Sequence, residues 1–581
     1  MRNIYIISGA MLLALGACSA QNTETNTDKS FADTILTGGT IYTMDTSQTV
    51  ASAMAVKDGK IVALGTVDEM QAYSGDATQT IDLNGATVFP GFTDAHVHVA
   101  GGGEGLRGLT LHDAQTPDVM LAKIKAYADA HPDMPVITGF GWELNVFEAG
   151  NPHKSLLDEI IPDRPVILTA ADGHNSWVNS KAFEMAGVTA DTPDPVAGHI
   201  EKDADGQPSG TLRESAMKLM AGILPEVTKA DMVANLRAGA EFQLSNGIVG
   251  SIDAAISANM EEQAYLDAAT DPKYPQRFRV SLLASDHSVS SIVTEENVDA
   301  VVETLSERRQ KFREANKGRV DAESVKIFVD GVPENFTAAM HDPYVGVPQG
   351  PDHRGVMNLT ENALIKYVTA LDNKGFNILT HSMGDRAIDA TLTAFEQMME
   401  ANPARDRRNH ISHLEFLTPT SFKRFDVPGM AANIQSLWHF NDPYISELTE
   451  PFVKPEIHRW IYPAKSFKDA GAKLVWGSDW PVSTSNPFMS IEVAVLRQDP
   501  NNAEDTPWIP EEKLTVDDMM VALTRNGAWI MGQDDIRGTL EAGKLADFII
   551  LSADPYKVKP YDISEITVKA TYLEGEQVYS N

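Results

Sequence analysis

Between residues 166 and 476, short apolar runs of β type alternate with amphipathic helical stretches. The runs cover 166–170, 248–252, 325–329, 377–380, 410–413 and 473–476. Hairpins cannot join strands separated by whole helices, so this alternation selects a parallel sheet with helical crossovers. Its span suits an elaborated (β/α)₈ TIM barrel, an α/β fold that takes about 250 residues or more. A barrel builds its active site at the C-terminal ends of its strands, so polar residues there are the ones to weigh first.

The flanks read differently. Runs at 34–37, 39–44, 53–57 and 60–65 are separated by Gly38-Gly39 and Asp58-Gly59, the punctuation of a small antiparallel sheet. The pattern returns at 547–551 and 566–573, with a hairpin turn at Gly575-Glu576. Neither half is long enough to bury a core, so the two ends are expected to complete one composite β-sandwich. The expected organisation is residues 33–88 and 535–581 for the sandwich and 89–534 for the barrel, with an insertion at about 100–240.

The N-terminus is a separate matter. Arg2 precedes an apolar run over 4–14 that is too short to span a bilayer, followed by small residues. Leu15-Gly16-Ala17-Cys18 resembles a bacterial lipobox, which makes residues 1–17 a lipoprotein signal peptide and Cys18 the lipidated residue. Ser19 stands where an Asp would favour inner-membrane retention, so the periplasmic face of the outer membrane is expected. Residues 18–32 form a polar tether.

Cys18 is the chain's only cysteine, so an internal disulfide and a Cys-based zinc or iron–sulfur site are excluded. With 47 Lys+Arg against 81 Asp+Glu, the net charge of −34 also excludes a basic surface for nucleic acid. Any metal must be held by His, Asp, Glu or Lys.

Four sites at strand ends fit that requirement. His96 and His98 stand at period two after an extended run, where residues i and i+2 share a face. His381 closes 377–381, His413 closes 411–413, and Asp479 follows 474–478. One His-x-His is weak evidence for a metal; four strand ends in order are strong.

These segments resemble the amidohydrolase superfamily. Pro90-Gly91-Phe92-Thr93-Asp94-Ala95-His96-Val97-His98 is similar to its strand-1 signature. THSMGDRA around His381, ISHLEF around His413 and GSDWPV around Asp479 are similar to its strand-5, strand-6 and strand-8 ligand segments. The closing segment at 538–548 and the branch-typical segments at 172–179 and 206–210 are most similar to the family-3 branch, which includes N-substituted formamide deformylases.

The resemblance implies two divalent ions, with zinc expected. His96, His98 and Asp479 would hold one, His381 and His413 the other. Lys326, in the strand-4 position, would bridge them as a CO₂-derived carbamate, because an ammonium cannot ligate a cation. The implied activity is hydrolysis of an amide, formamide or cyclic amide of a small molecule, with Asp479 as general acid/base. An ester or lactone hydrolase, or a non-catalytic binding lipoprotein, are the alternatives. The resemblance also implies a possible homodimer, and membrane contact only through the lipid anchor.

Further candidates are His174 for the substrate carbonyl, Arg386 (with Asp385) for a ligand or substrate carboxylate, and Trp142 and Trp438 for the pocket wall. His410, an odd number of residues before His413, is expected on the opposite face and not as a ligand.

Overall fold

The computed structural model describes residues 31–195, 198–284 and 293–581. The signal peptide, Cys18 and residues 18–30 of the tether lie outside the described residues. No helix among the described residues is long and apolar enough to cross a membrane.

Eight parallel strands form the barrel: β1 (Phe92–Val97), β2 (Ile248–Ile256), β3 (Arg277–Leu282), β4 (Val320–Phe328), β5 (Asn377–Ser382), β6 (Asn409–His413), β7 (Met430–Ile434) and β8 (Lys473–Trp476). They pair in chain order, and β8 returns to lie against β1. The seam is closed at the C-terminal mouth, where Asp479 N donates to His96 O and His98 N to Trp480 O, both at 2.8 Å. Outside the strands, a continuous apolar layer joins residues such as Phe92, Val280, Val325, Ile411 and Trp476 to the helices. Inside, Ala95, Ile252, Leu379, Ala431 and Val475 fill the barrel floor.

Two expectations need correction. The run at 166–170 is not a barrel strand. Val166–Ala170 sits in a separate five-stranded sheet with Ile137–Trp142, Asn175–Val178, Gly198–Lys202 and Pro208–Glu214, and this sheet has its own core. The N-terminal flank is also not purely antiparallel. Thr34–Thr37 pairs in parallel with Gln79–Asp82, and Thr40–Tyr42 with Thr87–Pro90. The two ends of the chain do share one sheet, through the antiparallel pairing of Phe548–Leu551 with Thr87–Pro90. Phe548 stacks on Tyr572 at 4.3 Å within a core drawn from both ends.

Strand Thr87–Pro90 runs into β1 with only Gly91 between, so the sandwich and the barrel share a continuous stretch of chain. That continuity fixes the entry of β1, and with it the place of His96 and His98.

Candidate metal centre and substrate cavity

The strand ends converge at one side of the barrel. His96 is fully buried near the end of β1, and His98 is the residue before the helix Val99–Arg107. Asp479 Oδ1 lies 3.4 Å from His96 Nε2 and 3.3 Å from His98 Nε2, and the three offer ligand atoms within 4.8 Å of one another. Lys326 Nζ, buried on β4, donates to His96 Nε2 at 3.1 Å. The His413 ring lies 4.8 Å from that of His96 and 4.4 Å from that of His381. His413 Nδ1 is 3.9 Å from Asp479 Oδ2. All six strand-end residues therefore line one cavity, although His381 and His413 stand apart from the tight three-residue group.

Backbone geometry aims two of them. His413 has φ 77° and Asp479 φ 55°, a region that non-glycine residues rarely adopt and that costs about 1–3 kcal/mol. On β6, Ser412 faces the barrel interior, with its Oγ 2.8 Å from His96 Nδ1. Strict alternation would send His413 away; its positive φ turns it back. His410 shares the inward face of Ser412, so the expected opposition between His410 and His413 has a different origin from simple alternation. His410 lies deeper, lines no part of the cavity, and burial pushes its imidazole down to about 3. Gly477 lets the β8 turn approach, since a Cβ there would fall 2.6 Å from His96 Cβ.

Surrounding groups hold the cluster. Asp94 accepts from His96 N at 3.2 Å and from Ser478 N and Oγ at 2.9 and 2.5 Å. Burial raises this carboxyl to about 7 against those bonds. Asp330 accepts from Ala339 N, Met383 N and Gly384 N, tying the loop after β4 to the loop after β5.

The donor set fits a metal. Two buried atoms, Asp479 Oδ1 and His413 Nδ1, have no hydrogen-bond partner, an unfavourable state that a cation would relieve. Burial lowers the Lys326 amine to about 7, against the attraction of Asp479 and Asp253, and drives His96, His381 and His413 well below the usual imidazole value. Neutral imidazoles and carboxylate oxygens are ordinary ligands for zinc.

The cavity has a volume of about 950 Å³ and is walled by barrel loops and by the inserted sheet. His174 lies in its wall, with its ring 5.9 Å from that of His381. His174 Nδ1 donates to Glu214 Oε2 at 2.9 Å, and Glu214 Oε1 accepts from Thr337 Oγ1 at 2.9 Å. The pair thus joins the insertion to the loop after β4. Glu214 itself is strained, at φ 52° and ψ −127°. Nothing in the local sequence marks it, because its partner is 40 residues away.

Burial alone would depress the His174 imidazole, but the Glu214 carboxylate overrides it and pushes it up to about 9. A histidine raised above its unfolded value of about 6.5 contributes stability that is full below that value and lost as pH rises through about 9. In the metal-free protein, the His174 ring should titrate near pH 9 by NMR, and Glu214→Gln should move the midpoint down. An unmoved midpoint would show that the carboxylate does not hold the charge.

Two expected substrate contacts are corrected. Trp142 is fully buried in the core of the insertion, its Nε1 donating to Leu168 O at 2.9 Å, and it does not line the cavity. Arg386 lies at the start of the helix Asp385–Ala401, also outside the lining; its backbone N donates to Ala339 O, while neighbouring Asp385 Oδ1 accepts from His341 N. Trp438 does line the cavity, stacked on His413 at 5.7 Å.

Residues 79–579 match the Amidohydrolase family. The chain belongs to this family. As an amidohydrolase it is a metal-dependent hydrolase acting on carbon–nitrogen bonds. It is similar to Protein LONG AFTER FAR-RED 3 of Arabidopsis thaliana, 31% identical with 94% of this chain and 92% of that one covered. It is also similar to the N-substituted formamide deformylase of Arthrobacter pascens, 27% identical over 94% of this chain and 97% of that one. In fold it matches an uncharacterized metal-dependent hydrolase from Pyrococcus horikoshii, at a TM-score of 0.69 and 22% identity, covering 91% of this chain and 99% of that one.

Proposed function

We propose that the protein hydrolyses the amide, formamide or cyclic amide bond of a small molecule with two divalent ions, zinc by donor chemistry. The observation that carries the reading is the group His96, His98 and Asp479, with Asp479 Oδ1 buried and unpartnered beside both imidazoles. These three would hold one ion, His381 and His413 the second, and Lys326, as a carbamate, would stand between them. Such ions polarise a carbonyl and bring the pKa of water from 15.7 to about 7.

The chain's own groups supply the rest. Asp479 accepts the proton of the attacking water and returns it to the leaving nitrogen. His174, fixed through Nδ1 by Glu214, presents its other edge to the cavity and stabilises charge on the carbonyl oxygen. The Arthrobacter relative, named for N-substituted formamides, makes formamides the first substrates to try. A metal-replete screen of formamides, N-acyl amino acids, dipeptides and lactones by mass spectrometry tests this reading. Cleavage of a C–N bond supports it, and turnover confined to lactones overturns it.

The protein is further read as a lipoprotein exported to the periplasmic face of the outer membrane, on the strength of the segment Leu15-Gly16-Ala17-Cys18. Metabolic labelling with a palmitate analogue should tag the wild type and leave Cys18→Ala untagged. A tagged Cys18→Ala would sink this reading.

A further inference from the structure

Among the carboxyl groups that line the cavity, four come from four separate loops. Glu143 follows the strand Ile137–Trp142, Asp172 lies between Val166–Ala170 and Asn175–Val178, Glu334 comes after β4, and Asp442 after β7. Among the described residues none of the four forms a direct ion pair; the charge opposite to them is the His174 imidazolium, which Glu214 already binds and which also attracts Asp172 and Glu334. Tyr444 Oη donates to Glu143 Oε2 at 2.9 Å. Asp172 accepts from His174 N at 2.9 Å and from Asn175 Nδ2 at 2.6 Å, and Asp442 Oδ1 from Ile445 N at 2.9 Å. Glu334 Oε2 is shut off from solvent and has no partner at all.

An acidic chain scatters carboxylates over its surface at little cost, but these four are drawn into a cavity wall. A carboxylate taken out of water without a counter-charge either gives up its charge or finds a cation. Burial first, and neighbouring carboxylates second, push Glu143 up to about 7 and Glu334 to about 8; burial also raises Asp442 to about 7. The lysines of the cavity lining stand elsewhere, Lys326 at the metal cluster and Lys218 exposed, and the single His174 imidazolium is bonded to Glu214, so the four carboxyl groups outnumber the positive charge near them. Phe140, Trp438 and Tyr444 give the same cavity aromatic surface.

We propose that the substrate carries a cationic group, an ammonium or guanidinium, which seats among Glu143, Asp172, Glu334 and Asp442 while its scissile amide faces the metal cluster. The inference rests on the carbon–nitrogen hydrolase reading of this cavity. It names the substrate class as a basic, N-acylated amine, and it implies rejection of substrates with a carboxylate at that end.

The test uses the metal-replete full chain and two formamides of equal length. N-(4-aminobutyl)formamide ends in an ammonium, and N-pentylformamide ends in a methyl group. The kcat/KM ratio should favour the cation by on the order of 10- to 100-fold. Glu334→Gln and Asp172→Asn should each bring that ratio towards one. A ratio of two substrates does not depend on the folded fraction of a variant. Equal or better hydrolysis of N-pentylformamide by the wild type overturns the proposal. If neither formamide is cleaved, calorimetry decides. Binding of pentylammonium but not 1-pentanol, lost in Glu334→Gln, upholds the cation site while the formamide reading fails; no preference for pentylammonium overturns it.

Discussion

Asp479→Asn is expected to lower kcat by about 10²- to 10⁴-fold, the range of a lost general acid/base. The substitution keeps the volume of a side chain that is nearly buried, and it keeps one oxygen near His96 and His98. It replaces the carboxylate with an amide, which cannot serve as a general base. Asp479 is therefore the position where ligation and proton transfer can be separated experimentally. The measurement pairs kcat with metal per chain, determined by elemental analysis. Turnover should collapse while a substantial part of the metal remains. If metal and turnover fall in parallel, Asp479 is a ligand and no more. The strained φ of 55° places the backbone in a conformation that Asn tolerates as well as Asp does, so misfolding is not the expected outcome.

The same residue shows what a sequence can and cannot reveal. Asp479, His381 and His413 were legible because each ends an apolar run, and a barrel gathers such ends at one mouth. The runs themselves were less complete. β3 and β7 carry no clear apolar signal, because RFRVSL carries two arginines and MAANI is short and weakly apolar. Those arginines are satisfied only by tertiary partners, Arg277 by Asp547 and Arg279 by Asp321. Direction was the other gap. Arg386 follows β5 and Trp142 ends a strand of the inserted sheet, but position in the chain does not say which way a side chain turns. Trp142 turned into the core of the insertion instead of the cavity. Glu143, Asp172, Glu334 and Asp442 are hidden in the sequence for a related reason. Their meaning comes from four loops meeting across a cavity, and no local pattern encodes that meeting.

On the two-ion reading proposed above, Lys326→Ala is expected to weaken the hold on one ion by about 100-fold or more, since even the outer partners of metal ligands are worth 10- to 100-fold. Activity should fall with that ion. The structural ground is the place of Nζ, buried on β4 and 3.1 Å from His96 Nε2. A permanent ammonium there would repel a cation held by the same histidine. Burial instead lowers the amine to about 7, which raises its neutral fraction at pH 7 roughly a thousandfold over an ordinary lysine. Only the neutral amine attacks CO₂; the nitrogen forms the new C–N bond, one C=O π pair moves to oxygen, and the nitrogen proton leaves to solvent. The product carries a negative charge where the lysine carried a positive one. Zinc uptake by metal-free wild type in CO₂-depleted buffer should therefore be slow and should quicken when bicarbonate is added. Lys326→Ala and the volume-keeping Lys326→Met should show no bicarbonate response and bind about one ion. Two ions and full turnover in either variant would reduce Lys326 to a strand cation that merely bonds His96, and the two-ion reading would need another bridge.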